Sequence, residues 1–263
     1  MSALVFDCDG VLADTERYGH LPAFNLTFEH FDLPVRWDVD EYARRLKIGG
    51  GKERMASLFA DPGFAEAAHV PDDEDARREL LAEWHRYKSA AFRDLVQSGQ
   101  LPARPGISRL IPEALAAGWT VAVASTSAEA SVRAVLEHAV GTEVASGIPV
   151  FAGDVVPAKK PDPAIYDLAV RELGLDRDDT LVVEDSRNGL LAATGAGLPC
   201  LVTVNGYTRE EDFDEAVLVV SELGDPDRQP VEVLANRGAA TPGAYLTLDD
   251  LSACLGARTG ATR

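Results

Sequence analysis

The sequence predicts an α/β fold, a doubly wound and mainly parallel sheet with a small helical domain inserted after the first strand. Three observations carry this. The chain opens on a short apolar run, ALVF at 3–6, which ends abruptly in charge. From about residue 100, short β-rich runs alternate with helical stretches, the pattern of a parallel sheet covered on both faces. Residues 15–98 break that alternation and offer only helix-like segments.

The elements follow in order. After the strand at 3–6, helices are expected at HLPAFNLTFEHF (20–31), DVDEYARRLK (38–47), GKERMASLFA (51–60) and 74–98. Pro22 fits the first of these only if the helix begins near His20, which leaves 14–19 as a linker. The chain returns to the sheet through LPARPG (101–106). Strands are then expected at WTVAVAS (119–125), IPVFAG (148–153), TLVVED (180–185) and PCLVTV (199–204). Helices alternate with them. RLIPEALAAG (109–118) has a glycine stop, and SAEASVRAVLEHA (127–139) is opened by a serine cap. DPAIYDLAVRELG (162–174) has proline in its first turn and glycine at its end, and NGLLAATGAG (188–197) completes the set. The predicted core is therefore 1–14 with 100–263, and the helical domain is 15–99. GTEVASG (141–147) fits no element, and the turn-rich tail after 224 is expected to close the sheet edge and then fray. Trp37, Trp84 and Trp119 read as packing residues.

Composition narrows the function. At 263 residues, 46% hydrophobic and 26% charged, the chain has the make-up of a soluble globular protein. No stretch has the apolar length of a membrane span, and the N-terminus lacks the marks of a signal peptide. Three scattered cysteines suit a reducing cytoplasm, or a stroma-like plastid compartment in a photosynthetic eukaryote. A net charge of -18 argues against nucleic acid and anionic membranes as partners. A monomer is expected.

In an open α/β sheet, ligands bind beyond the carboxyl ends of the strands. Those ends carry Asp7 and Asp9, Ser125, and the pair Glu184 and Asp185, with Lys159 and Lys160 following the run at 148–153. Period two points Asp7 and Asp9 to one side and Cys8 to the other. So many carboxylates call for a hard cation, and Mg²⁺ with substrate phosphate is the usual answer, with Asp7, Asp9, Glu184 and Asp185 as ligand candidates. One aspartate suits a nucleophile and the other a general acid and base. Ser125 and Lys160 suit the oxygens of a transferring phosphoryl group. Thr126, Ser127 and Asn188 adjoin these strand ends as candidate substrate contacts. The competing readings are structural: Asp7 and Asp9 as a helix-capping cluster or a mere loop entrance, and Glu184 and Asp185 as caps of the helix near Asn188.

Gly49-Gly50-Gly51-Lys52 is not a P-loop, because Leu46 and Glu53 stand where Gly and Ser or Thr are required. Gly50, Gly51, Lys52 and Arg54 still suit a second, non-reacting phosphate; the alternative is a solvated turn. Glu16 could meet a substrate hydroxyl, and His20 is as readily structural. His85 and Lys88, three apart on one helix, could face a cleft or form surface pairs. Tyr42 is a substrate candidate or a core residue. Together Lys52, Arg54, His85, Lys88 and Lys160 would make a local positive funnel in an acidic protein.

Four stretches in order, DCDGVLADT (7–15), VAVAS (121–125), KKP (159–161) and VVEDS (182–186), resemble the motifs of the haloacid dehalogenase superfamily. The resemblance spans essentially the whole chain. It implies a Rossmann-like core with an inserted cap that closes over substrate. It implies Asp7 as nucleophile, Asp9 as acid and base and backbone-carbonyl ligand, and Ser125 and Lys160 as phosphoryl holders. It also selects Lys160 over Lys159, and it implies Asp185, with Glu184, as completing a Mg²⁺ site. DTERYGH (14–20), GGGKERM (49–55), EWHRYKS (83–89), the run at 151–169, EDSRNGL (184–190) and GYTREEDF (206–213) look like the CbbY-type group. That group implies a phosphatase for xylulose 1,5-bisphosphate, a misfire product that inhibits Rubisco. A mutase of the related β-phosphoglucomutase type, a phosphatase for another small sugar phosphate, and a silent sugar-phosphate sensor are the alternatives.

Overall fold

Ala3–Phe6 forms strand β1 at the centre of the sheet, and all four of its side chains are buried. A strand covered on both faces needs such an uninterrupted apolar run. In the computed structural model, which describes residues 1–98 and 101–255, β1 is flanked in parallel by β2 (Thr120–Ser125) and β4 (Thr180–Glu184). Outside them lie β3 (Val150–Ala152), β5 (Cys200–Thr203), β6 (Leu218–Val220) and β7 (Val233–Asn236). The order is β3-β2-β1-β4-β5-β6-β7, and only β7 is antiparallel. The chain winds outward from β1 to β3 on one side, then crosses to β4 and winds outward on the other. The winding direction thus reverses between β1 and β4, where open α/β sheets form their ligand crevice.

The chain divides into two units, Met1–Asp14 with Pro102–Arg263, and Thr15–Leu101. The boundary expected between residues 99 and 100, and residues 256–263 of the expected fraying tail, lie outside the described residues. The second unit is helical, with α1 (Leu21–His30), α2 (Val39–Leu46), α3 (Gly51–Ala56), α4 (Pro62–Ala67) and α5 (Glu74–Gln97). Aspartates open three of them: the side chains of Asp38, Asp61 and Asp73 accept N–H groups of the first turns of α2, α4 and α5. Trp37 packs against Phe24 and Phe28 at ring separations of 4.9 and 4.8 Å. Asn25 locks the same tryptophan by donating to its carbonyl at 2.8 Å and accepting its N–H at 2.9 Å. No helix among the described residues is long and apolar enough to cross a membrane.

The sheet unit carries α6 (Ile107–Ala116), α7 (Glu129–Val140), α8 (Thr142–Ser146), α9 (Ala164–Leu173), α10 (Arg187–Gly195) and α11 (Leu248–Leu255). Several expectations need correction. The expected linker 14–19 is partly helical, because a wide turn over Glu16–His20 runs straight into α1. Ser127 does not cap α7; Ala128 stands at that position and the serine hydroxyl is used elsewhere. Residues 141–147 form the single turn α8 behind Gly141, whose φ is 83°. The tail is more ordered than its turn-rich composition suggests, since it supplies β7 at the sheet edge and α11. β6 and β7 escaped notice because three or four residues are too few to show a period. Trp119 is only partly buried.

Gly106, which opens α6, has φ 89°, and a Cβ there would lie 2.5 Å from Leu223 Cβ and 2.8 Å from the Gly224 carbonyl oxygen. Left-handed backbone costs an alanine about 1–2 kcal/mol, and the overlap adds about 1–3 kcal/mol. Gly106→Ala should therefore destabilise the protein by about 2 kcal/mol or more, read as a fall in the urea midpoint with unchanged slope. An unchanged midpoint would show that the turn relaxes freely.

Candidate active site

The register places the functional side chains. Phe6 is level with Val123 on β2 and with Val183 on β4. Asp7 therefore follows the last residue of β1 beside Glu184, and its N–H continues the ladder to the Val183 carbonyl at 2.9 Å. Cys8 is buried. The chain then turns at Gly10, where φ is 80°.

Lys160 joins the two strands. Its Nζ lies 2.6 Å from Asp7 Oδ1, 2.7 Å from Glu184 Oε1 and 2.9 Å from the Ala124 carbonyl oxygen. An ammonium has three N–H groups, and here all three are engaged. Lys159 is exposed. Tyr166 from α9 donates to the same Glu184 oxygen at 2.5 Å. The other Glu184 oxygen accepts the Asp185 N–H at 3.2 Å. α10 leaves room for that carboxylate through Gly189, whose Cβ would fall 1.9–2.2 Å from it.

Asp9 has a different environment. The hydroxyl of Ser127 donates to Asp9 Oδ2, and the Ser127 N–H donates to Ser125 Oγ at 3.2 Å. The end of β2 thus orients the second aspartate, while Lys160 binds the first. Ser186, not Glu184 or Asp185, caps α10, accepting the Gly189 N–H at 3.2 Å. This removes the capping explanation for the paired acids. Thr126 is half-buried and Asn188 is exposed in the first turn of α10.

Burial, with Glu184 and Asp9 nearby, pushes the Asp7 carboxyl up to about 7 despite Lys160. Burial alone would lower Lys160, but Asp7 and Glu184 outweigh it and raise its pKa, so the lysine stays charged. One cation therefore serves two buried carboxylates, with Asp185 adjoining. Oxygens of Asp7, Glu184 and Asp185 lie within 4.8 Å of one another. Hard oxygen donors left with surplus negative charge fit a divalent cation such as Mg²⁺. The Asp9 side chain lies outside this set, which leaves its backbone carbonyl as the group it could contribute.

In the helical unit, Glu16, Tyr42 and Arg54 form one network. The Tyr42 hydroxyl donates to Glu16 Oε2, and Arg54 donates to the Tyr42 oxygen at 2.9 Å and to the Ile48 carbonyl at 3.0 Å. Arg54 also lies 3.6 Å from Glu16. His20 Nδ1 and Lys88 Nζ are 2.7 Å apart, and His20 stacks on Phe92 at 4.2 Å. His85 packs against Gly51, where a Cβ would lie 3.3 Å from its Nε2. Gly50 has φ 95°, and Lys52 is exposed beside it. Of the cations named for a positive funnel, Arg54 is committed to Glu16 and Lys160 to Asp7 and Glu184.

Sequence reasoning missed Tyr166, Arg104 and Asn205. Tyr166 supports Glu184. Arg104 donates to the carbonyls of Gly10, Thr203, Val204 and Ser221. Asn205 donates to Asp185 at 2.7 Å. Only the position of Asn205 just past a strand end could have flagged any of them.

Residues 1–197 match the haloacid dehalogenase-like hydrolase family. A CBBY-like protein of Arabidopsis thaliana is 52% identical over 228 residues, covering 87% of this chain and 71% of that protein. The plasmid-borne protein CbbY of Cupriavidus necator is 40% identical over 229 residues, covering 86% and 87%. A crystal structure of a CbbY variant from Rhodobacter sphaeroides in complex with xylulose-1,5-bisphosphate is 38% identical with a TM-score of 0.72, covering 84% of this chain and 94% of that one. Four ordered motifs brought to one sheet edge, and this depth of likeness, lead to one conclusion: the chain belongs to the haloacid dehalogenase-like hydrolases, as a CbbY-like phosphatase.

Proposed function

We propose that the protein is a Mg²⁺-dependent phosphatase that removes phosphate from xylulose 1,5-bisphosphate through an aspartyl-phosphate on Asp7. The observation that carries the reaction is the bridge from Lys160 to Asp7 and Glu184 at the point where the sheet reverses its winding. The observation that carries the substrate is the sugar bisphosphate bound by the similar CbbY.

Asp7, Glu184 and Asp185, with the Asp9 carbonyl, would hold the cation. Bound Mg²⁺ supplies charge neutralisation to the phosphoryl oxygens and to Asp7. An Asp7 oxygen attacks phosphorus, and the bond from phosphorus to the sugar oxygen breaks. Asp9, oriented by Ser127, gives its proton to that leaving oxygen. Asp9 then takes a proton from water, which attacks the aspartyl-phosphate and releases inorganic phosphate with Asp7 restored. Lys160 and Ser125 neutralise and orient the moving phosphoryl group. If Oδ1 is the attacking atom, its contact with Lys160 loosens as the bond to phosphorus forms, which frees an N–H for a phosphoryl oxygen. In the helical unit, Lys52 is exposed beside Gly50 and Gly51 and suits the non-reacting phosphate.

Phosphate release with Mg²⁺ should be compared for xylulose 1,5-bisphosphate, ribulose 1,5-bisphosphate, fructose 1,6-bisphosphate, β-glucose 1-phosphate and phosphoglycolate. The expected order puts the xylulose bisphosphate first. Asp7→Asn should lose about 10³-fold or more in kcat. Lys52→Ala should lose about 10- to 100-fold in kcat/KM for the bisphosphate, the worth of a charge-assisted contact, and little for a monophosphate. Preference for a monophosphate, indifferent to Lys52, would overturn the substrate assignment. Formation of a hexose phosphate isomer without phosphate release would make the protein a mutase.

A second expectation concerns pH. Folding raises the Asp7 pKa from 3.8 to about 7, so the metal-free native state holds a proton that the unfolded state gives up. That contribution is full below about pH 4 and is lost as pH rises through about 7. A divalent cation held by Asp7 would take the place of that proton. The rise in Tm on adding Mg²⁺ should therefore be larger at alkaline than at mildly acidic pH, and Asp7→Asn should flatten the metal-free pH profile. Equal Mg²⁺ increments on both sides of neutrality would refute the linkage.

A further inference from the structure

The segment after β5 carries a side chain that the reaction above does not use. Asn205 donates its amide N–H to Asp185 Oδ2 at 2.7 Å, and its side-chain carbonyl accepts the Tyr207 N–H at 2.8 Å. The second bond decides the first. The oxygen end is required by the Tyr207 N–H, so the amine end is left for the carboxylate. The Asn205 N–H is itself tied to Thr208 Oγ1 at 3.1 Å, which closes the turn from both ends.

Gly10 forms the other wall. A Cβ there would lie 1.9 Å from Asp185 Oδ2 and 2.9 Å from Asn205 Nδ2. The Asp185 carboxylate is thus seated between an amide donor and the bare backbone of the turn that carries Asp7 and Asp9. Arg104 ties the two walls together, donating to the Gly10 carbonyl on one side and to the Thr203 and Val204 carbonyls, at 3.0 and 2.7 Å, on the other.

We propose that Asn205 is a positioning residue for the divalent cation: by binding Asp185 it holds that carboxylate where one of its oxygens lies within 4.8 Å of oxygens of Asp7 and Glu184. The inference rests on the Mg²⁺ reading of the site. Three carboxylates at this spacing repel, and a carboxylate on a short side chain escapes repulsion by rotating. Lys160 restrains Asp7 and Glu184 directly, and Asn205 gives Asp185 a side-chain donor. A neutral amide is suited to the task, because it orients the ligand without withdrawing the negative charge that attracts the cation. Partners of this kind are worth about 10- to 100-fold in metal affinity.

The test is calorimetric titration of Mg²⁺ into the full-length wild type, Asn205→Ser and Asn205→Ala, with half-activating Mg²⁺ measured beside it. Serine keeps an oxygen for the Tyr207 N–H but is too short to reach Asp185. Asn205→Ser should raise the Mg²⁺ Kd and the half-activating concentration together by about 10-fold or more. The substrate KM at saturating Mg²⁺ should stay at the wild-type value, and the metal-free Tm should fall less than in Asn205→Ala. Asn205→Ala should show the same Mg²⁺ defect, with a lower Tm from loss of the turn. A Mg²⁺ titration of Asn205→Ser that coincides with the wild type would overturn the proposal. So would a defect that appears equally in KM at saturating Mg²⁺, since that marks general distortion. Wild-type protein with no saturable Mg²⁺ binding would overturn the Mg²⁺ reading itself, which is a different result.

Discussion

The contact of Lys160 with Asp7 and Glu184 is the interaction on which the rest of the site depends. Two carboxylates on adjacent strands, both buried, are unfavourable by burial and by mutual repulsion. A single ammonium between them, with its third N–H on the Ala124 carbonyl, converts that arrangement into a bonded one. The neutralisation is incomplete by design of number, one cation against two anions, and Asp185 adds a third. That residual charge suits a divalent cation, and burial, with Glu184 and Asp9 nearby, keeps Asp7 reluctant to ionise.

The backbone is adapted to the same charge cluster. Gly10 and Gly189 stand where the carboxylates of Asp185 and Glu184 leave no room for a Cβ. Both glycines come from segments that follow strand ends, the turn after β1 and the first part of α10. The parallel sheet brings those segments side by side because β1 and β4 are neighbours, although more than 170 residues of chain separate their ends. The charged groups then divide the work by environment. Asp7 is held by a cation and Asp9 by a hydroxyl, so chemically identical side chains two residues apart receive different surroundings.

The helical unit follows a different logic. Its polar side chains are bonded to one another, Glu16 with Tyr42 and Arg54, and His20 with Lys88. Such pairing presets their geometry; the Glu16 carboxylate offsets the charge of Arg54, whereas Lys88 on an imidazole nitrogen keeps its own. Lys52, exposed beside the glycine turn, stands apart from those networks.

The sequence alone determined the sheet and its acids. The run at 3–6, the alternation after residue 100 and the charged residues that terminate each run are local patterns, and locality makes them legible. It also marked residues 15–98 as helical, since helix-like stretches with no strand among them are a local pattern as well. Ser127 was misread because a serine before a helix is normally a cap, whereas here its hydroxyl meets Asp9, 118 residues away. β6 and β7 were too short to show a period. Only the tertiary structure decided that Tyr166 supports Glu184, that Arg104 joins the Gly10 turn to the end of β5, and that Asn205 holds Asp185. Those contacts arise from strand order and register, which bring distant segments together, and no spacing along the chain encodes them.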